Sequence, residues 1–458
     1  MRTFLKSWIP QCLWILRSPS RTFHGNNRLL ASQITSHYES INQGKKELPE
    51  YFNFASDVLD EWARLEKDGK KTAMTGIYHF FSRVASADHI CIKTRSQDPM
   101  LVYFTSGTTG FPKMVLHSHS SYGIGFAVSG RYWLNLTPSD ILWNTSDTGW
   151  VKAAWSSVFS PWICGSCVFV HNMPQFKPEV IAEVSLTFYT VIFCSLQELR
   201  KLFHLLFLSS YKFPSLKHCV TGGEALNPEV LAKWKIQTGV DIHEGYGQTE
   251  TVTICANMKG MKIKPGSLGK AVPPYDVQIV DDHGAVVPKG EEGTIAIRVK
   301  PTRPFCLFSE YLDNPEKTAA SVRGDFYVTG DRGVMDEEGY IWFVGRADDI
   351  INSAGYRIGP FEVESALIEH PAVAEVAVVS SPDPERGEVV KAFIVLAPAF
   401  VSHDQKKLTL ELQQHVKKVT APYKYPRKME FVQDLPKTVT GKIQRNVLRS
   451  KEWAKVKK

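Results

Sequence analysis

The sequence predicts an α/β protein: a large N-terminal α/β domain ending in a β-rich stretch, then a small α+β C-terminal domain. Three observations predict it. From Pro99 onward, short apolar runs alternate with helix-length amphipathic ones, the pattern of strands packed between helices. Past Gly266 the runs are strand-like and separated by Asp-Asp-His-Gly and Asp-Glu-Glu-Gly turns. After the polar joint Gly345-Arg-Ala-Asp-Asp349, one helix, two strands and a second helix follow as a unit of their own.

The elements follow in order. Residues 1–38 carry Arg2, Lys6, Arg17, Arg21 and Arg28 and no acid before Glu39, the composition of a mitochondrial transit peptide, with a disordered N-terminal tail as the alternative reading. The apolar piece Trp8–Leu16 is short and broken by Pro10, so neither a secretory core nor a membrane span is expected. Phe54, Val58, Leu59, Trp62 and Leu65 fall at helical spacing. Met100–Phe104 is expected as a compact buried strand, with further strands at Cys164–His171 and Thr190–Cys194 and helices at Gln197–Ser209 and Pro228–Thr238. Val277–Val280, Gly293–Val299 and Tyr340–Val344 are the strands of the β-rich stretch. Phe361–Glu369 and Leu408–Lys418 are the C-terminal helices, with strands at Val373–Ser380 and Val389–Leu396. The domains are placed at 39–347 and 348–458.

At 458 residues, 43% apolar and 22% charged, the chain has the composition of a globular protein. Five of its seven excess positive charges lie in the leader, so the body is nearly neutral and no nucleic-acid footprint is expected. The eight scattered cysteines do not form a disulfide scaffold. Cys164-Gly-Ser-Cys167 sits in an apolar run and is read as two reduced core thiols. His117 and His119 have no third ligand in sight and are read as solvated loop histidines.

Four segments carry candidate chemistry. In Thr105-Ser-Gly-Thr-Thr-Gly-Phe-Pro-Lys113, hydroxyls, glycines and a lysine crowd together after a strand. Backbone N–H groups of such a loop form a nest for phosphate oxygens, although a Ser/Gly-rich surface turn reads the same way. In Glu244-Gly-Tyr-Gly-Gln-Thr-Glu250, Tyr246 offers a flat face for a base and Glu250 a hard oxygen for Mg²⁺; alone, turn and site are both open. In Tyr327-Val-Thr-Gly-Asp331, an Asp after a turn suits ribose hydroxyls, with Arg346 following; alone, a turn Asp and an exposed Arg suffice. In Leu435-Pro-Lys-Thr-Val-Thr-Gly-Lys442, a glycine beside Lys442 suits a loop presenting an ammonium to developing negative charge, or a basic surface face.

Taken together, the four segments resemble the adenylate-forming superfamily of acyl-CoA synthetases, firefly-luciferase-like enzymes and peptide-synthetase adenylation domains. Ser146-Asp-Thr-Gly-Trp150, Val220-Thr-Gly-Gly-Glu-Ala-Leu-Asn-Pro228, the run Gly345 to Pro360 and Thr420-Ala-Pro-Tyr-Lys-Tyr-Pro-Arg427 are similar to the mitochondrial medium-chain acyl-CoA synthetases. The likeness runs from about Asp98 to Trp453, and Leu48 to Asp57 matches the family's start.

The resemblance implies a large adenylate-forming N-terminal domain and a mobile C-terminal one, acting in the mitochondrial matrix. A carboxylic acid and MgATP give acyl-adenylate and pyrophosphate, and coenzyme A then displaces AMP. By position, Thr105, Ser106, Gly107, Thr108, Thr109, Gly110 and Lys113 hold the triphosphate. Glu244, Gly245, Tyr246, Gly247, Gln248 and Thr249 hold adenine and the α-phosphate, with Glu250 near Mg²⁺. Asp331 and Arg346 bind the ribose, Lys442 is the adenylation lysine and Asp348 the hinge. Ala354, Gly355, Tyr356, Arg357 and Arg386 bind coenzyme A, and Trp150 lines the acyl pocket. Ala354 replaces the usual Ser, and Cys194-Ser-Leu-Gln-Glu-Leu199 lacks the family's prolines. One departure is larger: 104 residues precede the phosphate loop where roughly 200 are expected. The text breaks near Lys71-Thr72, so the N-terminal domain is incomplete by about a hundred residues. An active synthetase and a shortened, non-catalytic relative are therefore both expected readings.

Overall fold

The computed structural model describes residues 26–69, 91–105, 113–146, 151–171, 177–185, 191–194, 199, 213–223, 226, 228–437 and 443–454. The break near 71–72 and most of the expected helix 197–209 lie outside them. The chain divides into two compact units, residues 1–277 with 298–321, and residues 278–297 with 322–458. The joint expected at Asp348 lies within the second unit, and the limit expected at residue 38 falls inside a helix, Asn26–Asn42.

In the first unit, that helix (α1) packs Tyr38 and Ile41 against Trp62 and Leu65 of α2 (Glu61–Gly69), burying the apolar stripe read from the sequence. A seven-stranded sheet runs in the order β4 (Cys167–Phe169), β3 (Ile141–Asn144), β5 (Val191–Phe193), β6 (His218–Gly222), β7 (Ile242–Gln248), β8 (Val252–Ala256) and β9 (Lys270–Ala271). Its first five strands are parallel, and the last two pairings, β7 with β8 and β8 with β9, are antiparallel. The helices α3 (Pro178–Ser185) and α4 (Pro228–Thr238) belong to the same unit, and α4 buries Trp234 against Cys219 and Ile242. In such sheets ligands sit beyond the carboxyl ends of the strands, which here are Gly222 of β6 and Gln248 of β7.

A separate three-stranded antiparallel sheet sets β2 (Lys113–Ser118) between β1 (Pro99–Thr105) and β12 (Glu310–Tyr311). Here the structure corrects two expectations. β1 is an edge strand rather than a buried one: Leu101 and Tyr103 face the core, while Val102 and Phe104 are exposed. An apolar run cannot by itself separate two-sided burial from one-sided burial at an edge. His117 is not a solvated loop residue but fully buried on β2, and His119 opens a short helix, His119–Tyr122. Cys164 and Cys167 are both free thiols, but only Cys164 is a core one, pushed up to about 12 by burial; Cys167 is half-buried at the start of β4.

The second unit has two sheets. One joins β10 (Val277–Val280), β11 (Glu292–Arg298), β14 (Phe326–Met335) and β13 (Val322–Arg323), with β15 (Ile341–Arg346) on β14. The other orders β17 (Tyr356–Ile358), β16 (Ile351–Ser353), β19 (Gly387–Leu396) and β18 (Val373–Asp383), with β20 (Lys428–Phe431) parallel to β19. Strand alternation buries both faces of the second sheet. Val376, Val378, Val390 and Ile394 meet α6 (Pro360–Ile368) and α7 (Gln405–Val419) through Val363, Leu367, Leu412 and Val416. Ala377, Val379 and Phe393 meet Leu448 of α8 (Arg445–Ala454). In the first unit, a further helix, α5 (Pro315–Ala320), is capped by the Asn314 side chain. No helix among the described residues is long and apolar enough to cross a membrane.

Candidate active site

Thr105 and Lys113 are cross-strand partners on the last rung of β1 and β2, so the two ends of the Ser/Gly-rich loop are held side by side. The Thr105 hydroxyl is buried without a hydrogen-bond partner among the described residues. Ser106, Gly107, Thr108, Thr109 and Gly110 lie outside those residues, as do Trp150 and Lys442.

The Glu244–Glu250 segment is the end of β7 and the turn into β8. Its glycines are dictated by space. A side chain at Gly245 would overlap the Trp133 indole, and one at Gly247 would overlap the Val252 carbonyl. Glu244 is buried, accepts the Leu226 N–H at 3.0 Å, and is pushed up to about 8 by burial, so it is a neutral acid at pH 7. Tyr246, Gly247, Gln248 and Thr249 are half-buried.

Two buried contacts fix the tip. His117 Nε2 lies 2.7 Å from the Thr249 carbonyl. A carbonyl cannot donate, so Nε2 carries the proton, and Nδ1 is left as an acceptor 3.1 Å from the Ser121 hydroxyl. Burial lowers His117 to about 4, which keeps this tautomer neutral. The Phe308 N–H donates to the Glu250 carbonyl at 2.8 Å.

The Glu250 side chain then meets Lys113. Lys113 Nζ is 3.2 Å from Glu250 Oε1, and the Tyr311 hydroxyl donates to the same oxygen at 2.7 Å. The Lys113 ammonium also lies 4.8 Å from the Tyr311 ring centroid. The structure thus joins two of the expected site segments, through Lys113 and Glu250, and adds two residues the sequence reading missed, His117 and Tyr311. Their signal is non-local, because β12 reaches β2 from almost two hundred residues away in the chain.

In the second unit, Asp331 and Arg346 are directly opposed on β14 and β15, with Arg346 Nε 3.3 Å from Asp331 Oδ1. Asp331 is buried, and its N–H donates to the Thr329 hydroxyl, which donates to the Ile295 carbonyl. Asp348 follows β15 in a short helical turn, Ala347–Asp349. Arg449 of α8 donates to the Asp348 carbonyl at 2.6 Å and to the Asp349 carboxylate at 2.8 Å.

Ala354 and Gly355 form a two-residue turn between β16 and β17, both with positive φ, 51° and 87°. The Ala354 N–H donates to the Arg386 carbonyl at 3.3 Å, which brings Arg386 beside the turn. Tyr356 and Arg357 are exposed, and the Tyr356 ring stacks on Tyr423 at 4.4 Å with an interplanar angle of 21°. Tyr423 is a further residue the sequence reading left without a role.

The AMP-binding enzyme family matches residues 37–312, and the AMP-binding enzyme C-terminal domain matches residues 362–442. The chain is 48% identical over 577 aligned positions to acyl-coenzyme A synthetase ACSM4, mitochondrial, of Homo sapiens, covering 99% of this chain and 100% of that protein. That alignment is longer than this chain by more than a hundred positions. To human ACSM5, mitochondrial, it is 66% identical over 373 residues, 81% of this chain and 64% of the relative. Among solved structures, the anthranilate CoA ligase AuaEII in complex with anthranoyl-AMP superimposes with a TM-score of 0.74 at 34% identity, over 83% of this chain and 72% of that one. ATP-bound MatB from Rhodopseudomonas palustris gives 0.73 at 25% identity, over 91% and 81%. The chain belongs to the AMP-binding enzyme family, as one of its acyl-coenzyme A synthetases.

Proposed function

We propose that this protein activates a medium-chain or related carboxylic acid in the mitochondrial matrix, after loss of an N-terminal transit peptide. The acid's carboxylate attacks the α-phosphate of ATP, the bond to pyrophosphate breaks, and acyl-adenylate forms. The thiol of coenzyme A, deprotonated as it adds, then attacks the acyl carbon and AMP leaves. The observation that carries this reading is the meeting of Lys113 and Glu250 beside the Thr105–Lys113 rung, a cation for phosphate oxygens and a carboxylate for a hard metal ion in one place.

The residues fit Mg²⁺. Both donors to Glu250 fall on Oε1, and Oε2 has no donor among the described residues. No cluster of three His, Cys, Asp or Glu side chains suited to a metal occurs among those residues. A Mg²⁺ ion held by one carboxylate together with substrate phosphates needs no such cluster. When bound, the ion neutralises phosphate charge and orients the nucleotide. This chain's own residues do the rest. Thr105 to Lys113 cradle the phosphates, and the neutral Glu244 and the flat Tyr246 face the adenine. Asp331 accepts from the ribose hydroxyls with Arg346 beside it, and Lys442 offsets the charge where two anions meet. In the thioester step, rotation about Asp348 presents Ala354 to Arg357, with Arg386, to coenzyme A.

The complete set of charged residues, Lys113, Glu250, Asp331, Arg346 and Lys442, supports catalysis over a non-catalytic product despite the shorter N-terminal domain. The test is ATP–pyrophosphate exchange by the full chain against acids from acetate to dodecanoate plus benzoate. Acid-dependent exchange that falls by about 10²–10³ in Lys442→Ala is expected. Absence of exchange with every acid contradicts the proposal.

A further inference from the structure

One short segment, residues 308–312, holds Glu250 by both backbone and side chain. The Phe308 N–H takes the Glu250 carbonyl, and three residues on, the Tyr311 hydroxyl takes Glu250 Oε1. The segment is itself fastened to β2 at three points. Ser309 N–H donates to Leu116 O at 2.7 Å, Leu312 N–H donates to Met114 O at 2.9 Å, and Tyr311 pairs with Val115. On its outer side the Tyr311 N–H donates to the Thr318 hydroxyl of α5 at 2.9 Å. Lys113 and Val115 are two residues apart on β2 and share a face, so Tyr311, opposite Val115, projects beside Lys113. The observed 3.5 Å between Lys113 Nζ and the Tyr311 hydroxyl follows from that register.

A buried carboxylate needs its lone pairs satisfied, and losing its last donor is costly. Glu250 has two donors here, and one of them is the lysine expected to turn to nucleotide phosphate. Tyr311 donates from a phenol fastened to β2 and α5, so it keeps Oε1 bonded after Lys113 leaves and holds Oε2 in a constant direction. Building on the function proposed above, we infer that Tyr311 is a positioning residue for the metal carboxylate: it acts through Glu250, sets the affinity for the metal-bound form of ATP, and lets Lys113 exchange a carboxylate for a phosphate without stranding a buried charge.

The test is titration of the full chain with ATP, read by calorimetry, once with excess Mg²⁺ and once with EDTA. Tyr311→Phe removes only the hydroxyl and keeps the ring, and a melt without ligand checks its fold. Binding with Mg²⁺ is expected to weaken roughly tenfold, as for loss of one hydrogen bond to a charged group, with metal-free binding unchanged. In a Glu250→Gln background, Tyr311→Phe is expected to add nothing, because its effect runs through that carboxylate. Equal weakening with and without Mg²⁺, no weakening, or full additivity with Glu250→Gln overturns the inference. If Tyr311→Phe melts early, the comparison is repeated with Thr318→Val, which frees the Tyr311 N–H; a smaller loss confined to the Mg²⁺ titration is expected, and an equal loss in both overturns the inference. Wild type that binds MgATP but gives no acid-dependent exchange sinks the proposed function and leaves this inference standing. Wild type that binds no ATP in either titration overturns both.

Discussion

The Thr249–Glu250 tip and the Ala354-Gly355 turn are built on opposite principles. The first is set by distant neighbours. His117 from β2 and Phe308 from a segment far along the chain each take one of its carbonyls, and Glu250 is buried among them. The second is set locally, by two left-handed residues closing a hairpin, with its aromatic and basic side chains standing in solvent. On the proposed function the first holds a metal-bound triphosphate, which gains from a tip whose atoms cannot relax. On the same proposal the second receives a long, flexible thiol carrier, which gains from an accessible stacked surface and exposed cations, at lower cost in ordering.

That contrast can be broken at its rigid side first. His117→Leu keeps the volume and removes the donor to Thr249, and is expected to destabilise the fold by about 3 kcal/mol and to slow pyrophosphate exchange. Urea unfolding alongside exchange kinetics checks it; a loss of stability with normal exchange would mean that the clamp serves folding alone.

A second effect follows from Glu244. Its folded value, about 8, is raised above the ordinary 4.5, so its contribution is present at low pH and is lost as pH rises between those values. His117 and His218 act the other way. They are lowered to about 4 and about 3 from 6.5, so stability falls as pH drops below 6.5. Wild type is therefore expected to lose about 2 kcal/mol between pH 6.5 and 8, and Glu244→Gln to lose that slope. Thermal melts across the interval decide it; an unchanged slope in the variant would show that Glu244 is ionised.

The smallest effect belongs to the exposed side. Tyr356→Ala removes the stacking partner of Tyr423 and is expected to raise the KM for coenzyme A about tenfold, leaving stability within roughly 0.5 kcal/mol. Steady-state kinetics with coenzyme A varied, beside a melt, measures both. A large fall in stability would make the pair a structural brace instead.

Legibility in the sequence divides along the same line. Local signals were enough for α4, whose limits are those expected, and for the strand and helix order of the C-terminal residues, where apolar period and turn residues coincide. The Ala354-Gly355 turn was not read as a turn, although its geometry is a property of two adjacent residues. The clamp was not legible. Nothing around His117 announces that its ring will face Thr249, and nothing around Tyr311 announces β2, because both depend on sheet pairing across long separations. The edge position of β1 was hidden for the same reason.

The most direct test compares the two half-reactions in two variants, Glu250→Gln and Tyr356→Ala. Acid-dependent pyrophosphate exchange reports adenylation, and thioester formation from preformed acyl-adenylate reports transfer to coenzyme A. Glu250→Gln is expected to lose exchange yet still transfer from supplied acyl-adenylate, while Tyr356→Ala is expected to keep exchange and be impaired in transfer at limiting coenzyme A. Both variants losing both reactions in proportion would contradict a division of labour between a rigid nucleotide tip and an exposed thiol-receiving turn.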